Sequence, residues 1–109
     1  GWLPFFISWM DRQVHERPAD PTAKLNMLPS EYVKRNVTFT FEEDIIGARL
    51  IPHEWAMIKD SVMWGSDYPH PDGIWPDSQS YLDRELGHLP QATRRKVVCD
   101  NAAKLYGLQ

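Results

Sequence analysis

Asp67 is the residue of this chain whose neighbours best suit it to chemistry. It lies in Ser61 to Trp75, S-V-M-W-G-S-D-Y-P-H-P-D-G-I-W, where the apolar run Val62-Met63-Trp64 passes through Gly65 into an acid, a phenol, two prolines and a histidine. A run this short fits a strand covered on both faces, as in a parallel sheet, and functional groups in such sheets gather where strands end in loops. The competing assignment is structural: an aspartate ahead of a proline often does no more than close a turn through its own backbone. A second acidic stretch, Glu42-Glu43-Asp44, could crowd a metal or a substrate. Acids also favour the first turn of a helix, where the dipole prefers negative charge, and that commoner cause is the one expected here.

Other chemistries drop out. His53-Glu54-Trp55 has the start of a zinc-protease motif, but Met57 and Ile58 stand where the second histidine should be. The four histidines and single cysteine lack zinc-finger spacing. Cys99 can form no internal disulfide and, beside Val97 and Val98, is expected to be a small buried hydrophobe. Arg94-Arg95-Lys96 could touch nucleic acid, yet twelve basic against fifteen acidic residues give a net charge of −3, which favours a solvated face. His15, His53 and His88 receive no role.

The chain of 109 residues is long enough for one ordinary domain. Its 42% hydrophobic and 25% charged content supports a core and gives no sign of disorder. No run approaches the ~18 apolar residues of a membrane span, and the apolar first ten residues lack the basic start of a signal peptide. Neither nucleic acid nor membrane is therefore expected as a partner, and a cytoplasmic location is. A chain that opens Gly-Trp-Leu-Pro reads as part of something longer.

The elements that must position Asp67 follow from periodicity. Pro4 suits a first helical turn, and Leu3, Ile7, Met10 and Val14 mark one face of a helix ending near Arg17-Pro18. Trp2, Phe5, Phe6 and Trp9 make that helix apolar on more than one side, so it needs partners on both flanks. Residues 17–26 read as a loop. A short helix from Pro29 to Arg35, ended by Asn36, leads into Val37-Thr38-Phe39-Thr40-Phe41, a strictly alternating strand. A helix from Ile45 to Ile51 then connects to Val62–Trp64, completing a βαβ unit. Beyond the loop, a helix beginning at Pro76-Asp77-Ser78 buries Tyr81, Leu82 and Leu86 and uses Gly87 as its cap. Another runs from Pro90 to about Cys99 with Val97 and Val98 inward. Asn101 is expected to cap a last turn, Ala102 to Tyr106, with Leu105 to Leu108 tucked under the body.

Four segments in collinear order carry a resemblance: W-G-S-D-Y-P-H, the closing R-R-K-V-V-C-D-N-A-A-K-L-Y-G-L, the opening G-W-L-P-F-F-I-S-W-M-D-R, and S-E-Y-V-K-R-N-V-T-F-T-F. Together they resemble the C-terminal end of the amidohydrolase-related family of metal-dependent hydrolases and decarboxylases. The family fold is a (β/α)8 barrel of about 250 residues. The resemblance implies that residues 1–109 are the C-terminal portion of one such barrel domain. Val37–Phe41 and Val62–Trp64 would be its last two strands, with flanking helices, and Gly1-Trp2 would lie just past the sixth.

The resemblance also implies a site. In this family a divalent metal, commonly zinc, is held by histidines from the first, fifth and sixth strands and by an aspartate at the end of the eighth. Asp67 matches that aspartate, as metal ligand and as general base to a metal-bound water. His70, with Pro69 stiffening the loop, could orient Asp67 or meet the substrate, or could simply close a turn at the surface. Tyr68, extended because it precedes proline, is aimed to the other side from Asp67. Trp2, Trp64 and Trp75 could wall a pocket and are more often core. The implied partners are a small-molecule substrate, the barrel residues upstream of Gly1 that carry the other ligands, and, since family members are often oligomers, a homo-oligomer. One carboxylate cannot define a tetrahedral site, so the isolated chain is expected to be inactive. The alternative from another class is a small non-catalytic module whose aromatic helix face, Trp2–Trp9, binds a partner.

Overall fold

A computed structural model describes residues 1–17, 24–53 and 58–108. Its order is α1 (Trp2–Glu16), α2 (Pro29–Asn36), β1 (Phe39–Phe41), α3 (Ile45–Leu50), β2 (Val62–Trp64), α4 (Ser78–Leu86), α5 (Gln91–Arg95), a π-helical turn (Lys96–Asp100) and α6 (Asn101–Tyr106). The expected loop over 17–26 and the His53-Glu54-Trp55 motif fall largely outside the described residues.

The two strands pair in parallel, with Phe39 opposite Val62, Thr40 opposite Met63 and Phe41 opposite Trp64. The ladder opens with Phe39 N–H donating to Ser61 O at 2.8 Å and closes with Gly65 N–H donating to Phe41 O at 3.0 Å. The first strand is therefore shorter than its alternating pattern. Val37 N–H is already used at the end of α2, donating to Val33 O at 3.0 Å, so pairing cannot begin before Phe39.

Side chains alternate across a strand. Phe39, Phe41, Val62 and Trp64 pack toward a helix-side core of Leu3, Ile7, Ala48, Ile51, Ile58, Leu82, Leu86, Leu89 and Val97. Thr40 and Met63 occupy the opposite face. Helix α1 meets β1 through Trp2 and Phe39, edge to face at 6.4 Å. It also starts α2: Asp11 Oδ1 accepts from Ser30 N–H at 2.9 Å, filling one of the open donors of that helix's first turn.

The C-terminal helices form one rod, with α5 and α6 joined through the π-turn, in which Asn101 N–H donates to Lys96 O. Asn101 is accordingly helical and caps no separate turn. Its buried amide instead donates to Lys59 O at 3.0 Å and to Val62 O at 2.8 Å, pinning the rod to the entry of β2. Cys99 is exposed, because Val97, two residues before it, takes the inward position and is completely buried. The tail is not tucked under the body, since Leu105, Tyr106 and Leu108 are exposed. Gly107, at φ 67°, ends α6, and Leu108 N–H donates back to Ala103 O at 2.9 Å. Gly87 stays right-handed at φ −62°, so α4 ends without the left-handed cap expected of a glycine.

Candidate active site at the strand tips

Both strands run toward the same end, and the acidic residues of interest follow their last residues. Asp67 comes three residues after Trp64, and Glu42 directly after Phe41. An open recess of about 460 Å³ there is lined by Thr40, Phe41, Glu42, Gly65 and Asp67. A separate apolar crevice of about 90 Å³ lies between the start of α1 and β1; its acid, Asp44, is occupied in capping α3.

The Asp67 loop folds back on itself. His70 N–H donates to Asp67 O at 2.7 Å, Gly73 N–H to His70 O at 2.9 Å, and Ile74 N–H to Ser66 O at 3.2 Å. Gly73 is needed for this closure: a Cβ at that position would lie 2.8 Å from Ser66 O, 3.0 Å from His70 O and 3.1 Å from Asp67 O. Asp67 has φ 55°, the left-handed region that aspartate tolerates better than most residues because its short side chain can bond locally. Buried Ile74 anchors the loop's far end.

Asp67 and His70 are neighbours, with Nδ1 3.4 Å from Oδ2 and both side chains more than half exposed. His70 Nδ1 also accepts from Asp72 N–H at 3.3 Å. A neutral imidazole that accepts at Nδ1 carries its proton on Nε2. In that tautomer His70 presents a donor away from Asp67 and does not clamp the carboxylate. Tyr68 packs edge-on against Trp75 at 5.2 Å, and both rings are largely exposed. Trp2 is also exposed, while Trp64 is half-buried and packs against the helix-side core.

The three acids after β1 have three fates. Asp44 does what the helix-start assignment expects: it is the N-cap of α3, and its Oδ1 accepts from Gly47 N–H at 2.8 Å. Glu43 pairs with Arg84 at 2.6 Å. Arg84 also reaches Glu85 at 3.2 Å, and the Glu85 hydrogen bond, followed by Glu43, raises the guanidinium further above its ordinary value. Glu85 is 1% exposed, and its second oxygen accepts from Asp44 N–H at 3.2 Å, so α4 holds the acidic turn by a buried carboxylate. Glu42 differs from both neighbours. Its backbone carbonyl accepts from Trp64 Nε1–H at 3.0 Å, while its side-chain Oε1 is buried without a hydrogen-bond partner. Nothing within the E-E-D run itself separates Glu42 from Glu43 and Asp44.

Among the described residues, no three His, Cys, Asp or Glu side chains come together as a metal-binding group. The recess offers carboxylate oxygens, donors suited to a hard or borderline divalent cation, and so fits part of a coordination shell. Among the described residues no helix is long and apolar enough to cross a membrane.

Comparison with known proteins agrees with this architecture. The chain superposes on the crystal structure of 5-carboxyvanillate decarboxylase from Sphingomonas paucimobilis with a TM-score of 0.75 and 22% identity, over 99% of this chain and 31% of that one. It thus spans less than a third of that enzyme's length, and the likeness is one of fold. No curated protein matches. The amidohydrolase family model matches residues 9–108, nearly the full chain. The parallel strand pair, the acids at its tips and that match together make the chain a member of the amidohydrolase family.

Proposed function

We propose that this chain is the C-terminal portion of a metal-dependent (β/α)8 hydrolase or decarboxylase acting on a small molecule, with Asp67 as metal ligand and general base. The observation that carries this reading is the position of Asp67 beside the tips of two parallel strands, where (β/α)8 enzymes keep their catalytic groups. The decarboxylase neighbour supports the choice of reaction classes, and zinc is the metal that the family resemblance implies. A bound divalent cation would supply Lewis-acid activation of water, lowering the pKa of the bound water toward ~7. Asp67 would contribute one carboxylate oxygen as ligand and accept a proton at the other. His70, with Nε2 as donor, and Tyr68, with its exposed phenol, act on the substrate from the loop. The remaining ligands come from barrel strands outside this chain, and a homo-oligomer is part of the proposal.

The test is metal content and turnover in the full-length protein. Asp67→Asn and Asp67→Ala lose both together; full turnover with metal retained overturns the assignment. A second reading has its own observation: Trp2 and Phe5 on α1 are 65% and 72% exposed, as a partner-binding module would require. The reading frame ahead of Gly1 separates the two. An H-x-H following an early strand supports the barrel, and a start codon close to Gly1 supports the module.

A further inference from the structure

We propose that Glu42 is a second carboxylate of the Asp67 site, supplied from the neighbouring strand tip and strengthening its hold on a divalent cation. The inference rests on the Asp67 reading above and extends it to a residue on the other strand. Three consecutive acids follow β1, and two are accounted for by protein partners: Glu43 by Arg84 and Asp44 by the Gly47 N–H. Glu42 alone of the three has a buried side-chain oxygen with no partner. A buried carboxylate oxygen left unpaired is costly, so one that persists in a folded protein calls for an explanation. Glu42 and Asp67 line one recess, whose other lining residues, Thr40, Phe41 and Gly65, carry no positive charge. Two carboxylates sharing a site repel, and a divalent cation between them relieves both the repulsion and the missing partner.

The placement of Glu42 is also built. Trp64 Nε1–H grips its carbonyl from β2, while Glu85 grips Asp44 N–H two residues on. These bonds from two elements hold the turn on either side of the Glu42 side chain.

Mn²⁺ alone is the probe, titrated into the full-length protein and followed through the spectrum of the free ion by electron paramagnetic resonance. Glu42→Gln, nearly isosteric and uncharged, is expected to weaken Mn²⁺ binding about 10- to 100-fold, the range seen for groups that support a metal site. Glu42→Asp, which keeps the charge but withdraws it by one methylene, is expected to fall between Glu42→Gln and the parent. Glu43→Gln, whose partner is Arg84, leaves the affinity unchanged. Parent-like affinity in folded Glu42→Gln overturns the proposal. Should Glu42→Gln fail to fold, parent-like affinity in Glu42→Asp overturns it instead. Asp67→Asn separates the two layers: if it loses Mn²⁺ while Glu42→Gln does not, only the Glu42 inference fails. If Asp67→Asn binds Mn²⁺ as well as the parent, the reading beneath it fails too.

Discussion

Trp64 Nε1–H donates to the backbone carbonyl of Glu42 across 3.0 Å, so the last residue of β2 fastens the turn that leaves β1. This bond joins the tips of two strands whose ladder is only three residues long. Trp64→Phe keeps an aromatic ring but removes the donor. It should destabilise the protein by about 0.5–1.5 kcal/mol, read from the midpoint of urea unfolding. An unchanged midpoint would show that water replaces the indole N–H without loss.

Asp67 adopts φ 55°, so its substitutions separate function from folding. Asn tolerates the left-handed region, so in metal-free buffer Asp67→Asn should unfold at the parent's midpoint, while in the presence of metal it should bind none. Asp67→Val should cost about 1–2 kcal/mol more, because a β-branched side chain clashes there. Equal stability of the two variants would mean that the loop relaxes away from this backbone conformation.

Gly73 lies within 3.1 Å of three carbonyl oxygens, measured from the Cβ it lacks. All three belong to backbone that closes the Asp67 loop, and none can swing away like a side chain. Gly73→Ala should therefore cost about 1–3 kcal/mol through overpacking and should loosen the loop. Faster proteolysis between Ser66 and Ile74, with the helical circular dichroism retained, is the expected signature.

Asn101 holds the opposite end of β2, donating to Lys59 O and Val62 O. Asn101→Ala leaves two carbonyls without their donor and should cost about 1–3 kcal/mol. Asn101→Asp should be worse, because a carboxylate facing two carbonyls has no hydrogen to give. If both variants match the parent in thermal unfolding, the amide does not anchor the rod.

Lys96 is hydrogen-bonded to Asp60, and that bond lowers the Asp60 carboxyl below its ordinary 3.8, partly opposed by desolvation and aided by the charges of Lys96, Lys59 and Lys104. A lowered carboxylate pKa stabilises the fold above the unfolded value, and the contribution is lost as pH falls through the folded value. Both side chains are roughly half exposed, so the pair is worth a screened ~0.2–1 kcal/mol. The stability difference between parent and Lys96→Met should be constant near neutrality and shrink as pH drops below about 3.8. A difference that grows on acidification would reverse the assigned sign.

The sequence alone determined the family and the order of the elements, and it singled out Asp67 as the candidate acid. Those rest on local features: the period of α1, the alternation before Glu42, and the W-G-S-D-Y-P-H run that ends β2. A helix face or a strand is encoded within a few residues, and such signals need no knowledge of what packs where. The tertiary structure decided what depends on pairs distant in sequence. It shortened β1 because α2 had already used the Val37 N–H, and it turned Cys99 outward when Val97 took the buried position. It also gave three adjacent acids three different fates. Nothing in E-E-D distinguishes them until Arg84 and Glu85 arrive from α4 and Trp64 from β2, 22 to 41 positions along the chain. Hydrogen bonding across such separations is a property of the packed chain, which is why Glu42 stood out only once its neighbours were in place.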